Sequence, residues 1–184
     1  MLDIGAGTGI LSMFAAKNGA KHVYAVENAE IAYFAKEIVK RNNLESKVTV
    51  IKGKMEEIEL PVEKVDIIIS EWMGYFLLYE GMLDSILWAR DKYLNKNGKM
   101  LPDTASVYLA AIEDQDYKSR KLSFWNSVYG FDMTVFKNVV VKEPLVDIVD
   151  SQAVCSKSFK ILELDLLTVK KEELDFSNEY RLKI

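Results

Sequence analysis

Three glycines alternate within five residues, Gly5-Ala6-Gly7-Thr8-Gly9, and they separate two different patterns. Before them, residues 1–4 read as a short apolar strand. After them, Ile10, Leu11, Met13, Phe14 and Ala15 read as a helix that ends near Gly19. Glycine adopts left-handed backbone at no steric penalty, so such a run lets the chain turn from strand to helix in a few residues. A free helix N-terminus then stands directly behind the turn, with unpaired N–H groups and partial positive charge. This feature commits the N-terminal region to a strand–turn–helix unit with a ligand-facing loop. A loop serving only as a tight turn is the bland alternative.

The rest of residues 1–102 repeats that alternation. Residues 22–26 are β-rich and close on Glu27, and Ile31, Ala32, Ala35, Ile38 and Val39 recur at helical spacing. Residues 48–51 read as a β-branched strand. Residues 65–70 form a continuous apolar run, as in a strand covered on both faces. Residues 82–94 carry apolar positions on one helical side, and Asn97-Gly98 reads as a turn. This β-α-β-α-β-β-α order predicts an α/β fold with a mainly parallel, doubly wound sheet, Rossmann-like in its connections. After Pro102 the pattern changes. Residues 106–112 and 160–169 read as strands of an antiparallel structure, and Leu162, Leu164 and Leu166 alternate with Glu163 and Asp165. Residues 115–149 interrupt the β pattern with Phe124, Trp125, Tyr129 and Phe131. Residues 180–184 alternate like the middle of a strand.

Composition narrows the partners. With 24 basic and 28 acidic residues the net charge is −4, which speaks against an intrinsic nucleic-acid binder and suits a basic partner. The single cysteine, Cys155, allows no internal disulfide and no cysteine-based zinc site, and no metal is expected. An intracellular protein is the natural reading. No apolar run is long enough to cross a bilayer, so no membrane partner is expected.

Specific acids mark the chemistry. Glu27 lies at the end of the second strand, 20 residues after Gly7. An acid there can accept from ribose hydroxyls of an adenosyl or a nicotinamide cofactor. The dinucleotide fingerprint needs Gly or Ala where this chain has Ile10, which weighs against a nicotinamide enzyme. Glu56, in Gly53-Lys54-Met55-Glu56, could accept from an adenine amino group, although taken alone it reads as a surface residue. Ser70-Glu71-Trp72-Met73-Gly74-Tyr75-Phe76-Leu77-Leu78-Tyr79-Glu80 places one acid just beyond the fourth strand and another after an apolar, aromatic loop. Ligands of open α/β sheets bind beyond the C-terminal strand ends, where Glu71 falls. Two carboxylates there suit a planar, permanently cationic guanidinium. They would offset its repulsion from the sulfonium of S-adenosylmethionine, while Trp72, Tyr75 and Tyr79 would exclude water. The spacing alone leaves a solvated acid pair on a surface loop as an equal reading.

Taken together, Leu2-Asp3-Ile4-Gly5-Ala6-Gly7-Thr8-Gly9, Ala25-Val26-Glu27, Lys52-Gly53-Lys54-Met55-Glu56 and the 70–80 loop resemble the successive motifs of protein arginine methyltransferases. Tyr129-Gly130-Phe131-Asp132-Met133 and Lys142-Glu143-Pro144-Leu145-Val146-Asp147 extend the likeness over nearly the whole chain. The sequence is most similar to the predominant type I members, which make asymmetric dimethylarginine. The resemblance implies that Gly5, Gly7 and Thr8 line the methionine end of S-adenosylmethionine with Asp3 nearby. It implies that Glu27 holds the ribose, Met55 and Glu56 the adenine, and that Met82 and Ser85 close over the cofactor. Glu71 and Glu80 would be the catalytic pair, and Met73 occupies a position associated with product specificity. S-adenosylhomocysteine would be the product of the cofactor.

The likeness further implies a cofactor domain over 1–102 and a partial β-barrel over 103–184, with a helical dimerisation arm at 115–149 that makes a homodimer. Histone tails and Gly/Arg-rich RNA-binding proteins are the substrates it implies, in nucleus and cytoplasm, without direct nucleic-acid binding. Family members carry helices ahead of the first strand and extend beyond the point matching Ile184, with a Thr-His-Trp loop at the active site. The sequence therefore reads as a fragment, expected to bind cofactor weakly and turn over poorly by itself. A catalytically weak dimerisation or regulatory module is the second reading, and another Rossmann-type enzyme the third. The single histidine, His22, reads as a strand-end residue rather than a replacement for that loop.

Overall fold

β1 (Leu2–Ile4) passes through residues 5–9 into α1 (Ile10–Lys17), as the glycine spacing predicts, in a computed structural model that describes residues 1–184. β2 (Val23–Glu27), α2 (Ile31–Arg41), β3 (Val48–Lys52), β4 (Val65–Ile69), α3 (Leu83–Tyr93) and β5 (Leu94–Leu101) follow. The five strands form one parallel sheet in the order β3-β2-β1-β4-β5. The chain steps outward from β1 to β3 and then restarts on the other side of β1 with β4. Right-handed crossovers therefore put α1 and α2 on one face and α3 on the other.

The α1/α2 face shows what holds this unit together. Met13 and Ala16 of α1 and Ala32, Ala35 and Val39 of α2 are buried with Val23 and Ala25 of β2 and Val48 and Val50 of β3. The small alanines let the helices approach the sheet closely. Burying one Val or Met side chain is worth about 1.5–3 kcal/mol. The exposed Arg41–Glu37 pair on α2, at 3.0 Å, belongs to a class worth only ~0.3–0.5 kcal/mol. Burial decides the fold, and the surface charges contribute little. α2 ends where Asn42 donates its side-chain N–H to the Ile38 carbonyl at 2.8 Å, and Lys40 and Arg41 in the last turn oppose the helix dipole.

α3 buries Leu83, Ile86, Leu87, Ala89 and Tyr93. Asn97-Gly98, a turn by sequence, lies inside β5. There the register jumps, with Val65 facing Leu94 and Ile67 facing Lys99. The extra residues are absorbed as an irregularity in the strand.

The chain divides into two compact units, Met1–Val107 with Glu163–Ser177, and Tyr108–Leu162 with Asn178–Ile184. β6 (Thr104–Leu109) and β7 (Phe159–Asp165) form a two-stranded sheet. The expected alternation holds in that segment, since Leu164 and Leu166 are buried while Glu163 and Asp165 face water. The strand nevertheless stops at Asp165, whose side chain and carbonyl accept from the N–H groups of Leu167, Thr168 and Val169 and close a turn. In the first unit, Arg90 of α3 fastens the following segment by donating to the Leu166 and Val169 carbonyls at 2.9 and 2.7 Å.

The second unit contains α4 (Gln115–Lys121), capped by Asp114 accepting from the Tyr117 N–H at 2.8 Å, and α5 (Lys137–Val140). Phe124 meets Trp125 edge to face and Phe136 lies tilted against it, with centroids 5.3 and 5.0 Å away. Tyr129 and Phe131 of the same sequence cluster are exposed, and Phe124 and Phe136 stay half-exposed despite the contact. Residues 180–184, which alternate like a strand, form no regular structure, because no neighbouring strand pairs with them. No helix is long and apolar enough to cross a membrane.

Candidate active site

The glycine loop is a closed piece of backbone. Gly5, Gly7 and Gly9 have φ of 71, 55 and 82°, a region that carries a penalty of about 1–2 kcal/mol for any residue with a Cβ. At Gly5 a Cβ would also lie 2.4 Å from the Met82 methyl carbon, the mobile end of a flexible side chain that can shift aside, so the backbone conformation is what requires glycine there. Four of the loop's five N–H groups are already used. Gly5 and Ala6 donate to the Val26 carbonyl at 2.9 and 3.1 Å, Gly9 donates to Ala6 at 2.8 Å, and Gly7 donates to Glu27 Oε2 at 2.9 Å.

Behind the loop, Asp3 is buried and accepts from Ser12 Oγ at 2.6 Å. Burial pushes its carboxyl above the ordinary range, with the nearby Glu27 charge adding to the rise and the Ser12 hydrogen bonds opposing it. A pyrophosphate approaching this helix N-terminus would meet two protein acids and N–H groups already bonded. The arrangement suits a ligand whose near end carries positive charge.

Glu27 is anchored by both oxygens, since Oε1 accepts from Ala29 N–H at 2.7 Å while Oε2 holds Gly7. Each oxygen keeps a further lone pair, and the residue is partly exposed. Glu56 accepts from Ser85 Oγ at 2.5 Å through Oε1, while its buried Oε2 has no partner. An unsatisfied buried polar atom costs about 1–3 kcal/mol, so Glu56 presents an acceptor in want of a donor. Among the other expected cofactor residues, Met82 covers Gly5 and Thr8 is exposed. Met55 is buried among the core residues.

The acidic loop starts at the strand junction. Ser70, buried, donates its N–H to the Leu101 carbonyl at 3.1 Å and its hydroxyl to the Ile4 carbonyl at 2.7 Å. It thereby ties the end of β4 to that of β1, the pair at which the sheet order reverses and where open α/β sheets bind ligands. Glu71 leaves from that junction. The chain then folds back through a tight turn, with Gly74 N–H donating to the Leu77 carbonyl at 3.1 Å and Phe76 and Leu77 at φ 50 and 62°. Positive φ at two successive residues is the type I′ pattern, which normally selects Asn and Gly. Glu80 returns over Gly74, where a Cβ would lie 2.6 Å from Glu80 Cγ. Glu71 and Glu80 are both exposed, and neither makes a hydrogen bond or ion pair.

The aromatic residues of this loop differ from expectation. Trp72 is 2% exposed and belongs to the core, with its Nε1 unpartnered. Tyr75 and Tyr79 are 62% and 82% exposed, so they wall off no cavity here. The strand end draws residue 72 inward, and the turn at 76–77 throws its neighbours outward. Ser12 carries no signal in the sequence, and Ser70 and Gly74 stand in the 70–80 motif without a role, because their partners Asp3, Ile4 and Glu80 are set against them only by the fold. His22 bonds Thr49 at 2.8 Å and packs on Tyr24, as a strand-end residue should.

A parallel sheet in this order, a glycine loop filled by its own acids and an acid at the switch point define a methyltransferase-like α/β fold. The family model described as "Ribosomal protein L11 methyltransferase (PrmA)" matches residues 1–79, and that described as "Arginine methyltransferase oligomerization subdomain" matches 103–184. Protein arginine N-methyltransferase 1 of Schizosaccharomyces pombe is 61% identical over 99% of this chain, and that of Dictyostelium discoideum 56% over 100%. In each case 54% of the relative is covered. The Trypanosoma brucei PRMT1 enzyme–prozyme heterotetrameric complex with AdoHcy contains a chain 48% identical, with TM-score 0.91, over 95% of this chain and 55% of that one. The chain belongs to the protein arginine N-methyltransferase family, and it spans about half the length of the curated relatives it matches.

Proposed function

We propose that the full-length protein transfers a methyl group from S-adenosylmethionine to a guanidinium nitrogen of arginine in proteins, with asymmetric dimethylation as the type I outcome. The observation that carries this reading is the pair of unpartnered carboxylates, Glu71 and Glu80, on a loop anchored at the sheet's switch point. Glu27 would accept from the ribose hydroxyls. Glu56, with one orphaned buried oxygen, would accept from the adenine amino group. Gly5, Gly7 and Thr8 would line the methionine end with Asp3 behind them, and Met55, Met82 and Ser85 would complete the pocket. When bound, the cofactor supplies an electrophilic methyl on a sulfonium cation. Glu71 and Glu80 would hold the guanidinium fork and offset its repulsion from that cation, which at 4 Å and an effective dielectric of 20 is about 4 kcal/mol. They would also aim the nitrogen at the methyl carbon and take up the proton it sheds as the N–C bond forms and the C–S bond breaks, and such positioning can be worth ~7–11 kcal/mol of barrier.

The same reading takes residues 1–102 as the cofactor domain and 103–184 as the first part of a β-barrel. Residues 115–149 would be the arm of a homodimer, Met73 a product-specificity position, and Gly/Arg-rich proteins and histone tails the substrates in nucleus and cytoplasm. The match of 103–184 to an oligomerization subdomain supports the arm. The test uses the full-length protein, a radiolabelled methyl donor and a Gly/Arg-rich peptide. Label should enter that peptide, stay out of its Arg→Lys counterpart, and hydrolyse to asymmetric dimethylarginine. Absence of label, or tight NAD binding in calorimetry, would overturn the reading.

A further inference from the structure

We propose that Gly74 is a positioning residue for Glu80, and that the missing side chain at 74 sets the direction of that carboxylate. The inference rests on the proposed reaction for its kinetic consequence and on geometry alone for its structural one. A Cβ built on Gly74 would lie 2.6 Å from Glu80 Cγ, 2.9 Å from Cβ and 3.0 Å from Cδ. These atoms include the stem of the side chain, not only its flexible tip. A methyl at 74 therefore forces Glu80 to move, its Cγ and Cδ by rotation about χ1 and its Cβ with a small shift of the backbone that carries it.

The backbone gives no other reason for glycine there. Gly74 is absent from the residues with positive φ, unlike Gly5, Gly7 and Gly81 in the same unit. Its N–H bond to the Leu77 carbonyl is available to any residue except proline. The positive-φ pair at Phe76 and Leu77 turns the chain so that residue 80 returns to residue 74. Glu80 has no hydrogen-bond or ion-pair partner to hold its direction. Packing across a bare Cα is what remains to hold it, and alanine removes that device without altering any polar group.

The experiment compares Gly74→Ala, Glu80→Gln and the double variant in the full-length protein, with kcat, peptide KM, S-adenosylhomocysteine affinity and a crystal structure of Gly74→Ala. Displacing a reacting group by about 1 Å costs on the order of 100-fold, so Gly74→Ala should lower kcat by about that factor. Cofactor affinity and the unfolding midpoint should stay at wild-type values. In the Glu80→Gln background the same change should have no further effect, whereas a general structural defect would lower both backgrounds alike. Wild-type kcat in Gly74→Ala, additive losses in the double variant, or a Glu80 rotamer unchanged in the crystal would overturn the proposal. If the wild-type protein fails to methylate the arginine peptide, the proposed function falls, and the rotamer still decides whether Gly74 orients Glu80.

Discussion

The two loops of the first unit reach left-handed backbone by opposite means. Residues 5–9 use glycine at each positive-φ position and spend nearly every loop N–H on the protein itself. Residues 70–80 place Phe76 and Leu77 at positive φ and leave Tyr75, Phe76 and Tyr79 in solvent. The first loop is nearly complete within this chain, with acids Asp3 and Glu27 wired to Ser12, Gly7 and Ala29 and the buried Asp3 Oδ1 left without a partner. The second is strained, apolar on its outside, and ends in carboxylates without partners. Strain of this kind persists where the surrounding structure enforces it, and it clusters at binding and catalytic positions. On the proposed function, the first loop is prebuilt to bind cofactor and the second keeps its carboxylates unpaired for substrate.

The strongest way to break this contrast is to remove the free acids. Glu71→Gln or Glu80→Gln in the full-length protein should lower methyl transfer by about 100–1,000-fold, the scale of losing one preorganised electrostatic group. Calorimetry should find S-adenosylhomocysteine affinity unchanged, and a parallel loss of cofactor binding would show that the two loops are not separate devices. Gly5→Ala should act the other way. It introduces about 1–2 kcal/mol of backbone strain and displaces the Met82 methyl. Chemical denaturation should register that loss, and cofactor affinity should fall by about 10-fold.

A pH series sharpens the account of the first loop. Burial raises the folded pKa of Asp3 above its ordinary 3.8. The stability this group lends is therefore full below that value and is lost as pH rises through the raised pKa. Asp3→Asn does not titrate, so the unfolding midpoint of Asp3→Asn minus that of the wild type should climb as pH rises from acid to neutral. A flat difference would mean that Asp3 is not the buried acid described. The smallest effect belongs to Leu77→Gly, which relieves the positive-φ strain but adds chain entropy. It should change stability by less than about 1 kcal/mol, in contrast to the clear loss in Gly5→Ala.

Much of the fold was legible because it is written in local patterns. The glycine run, the stripe Ala32-Ala35-Val39 and the apolar run over 65–70 each name their element without reference to anything distant. The elements misread are those whose state depends on a partner strand. Asn97-Gly98 carries a turn signal, yet β4 draws it into β5. Residues 180–184 alternate like a strand, yet no neighbour pairs with them. Trp72 stands among aromatic neighbours that suit a pocket wall, yet the core buries it.

By itself, the sequence determined the strand–helix alternation, the glycine turn and the acids at the strand ends, because propensity and φ preference act over a few residues. Only the tertiary structure decided which of those residues meet. Glu27 reaches Gly7 across 20 positions, Glu56 meets Ser85 across 29, and Ser70 locks to Ile4 across 66. Met82 fills the space above Gly5, and Glu80 lies on Gly74. Such contacts depend on strand order and on the shape left by a missing Cβ, and neither is encoded in any local stretch of chain.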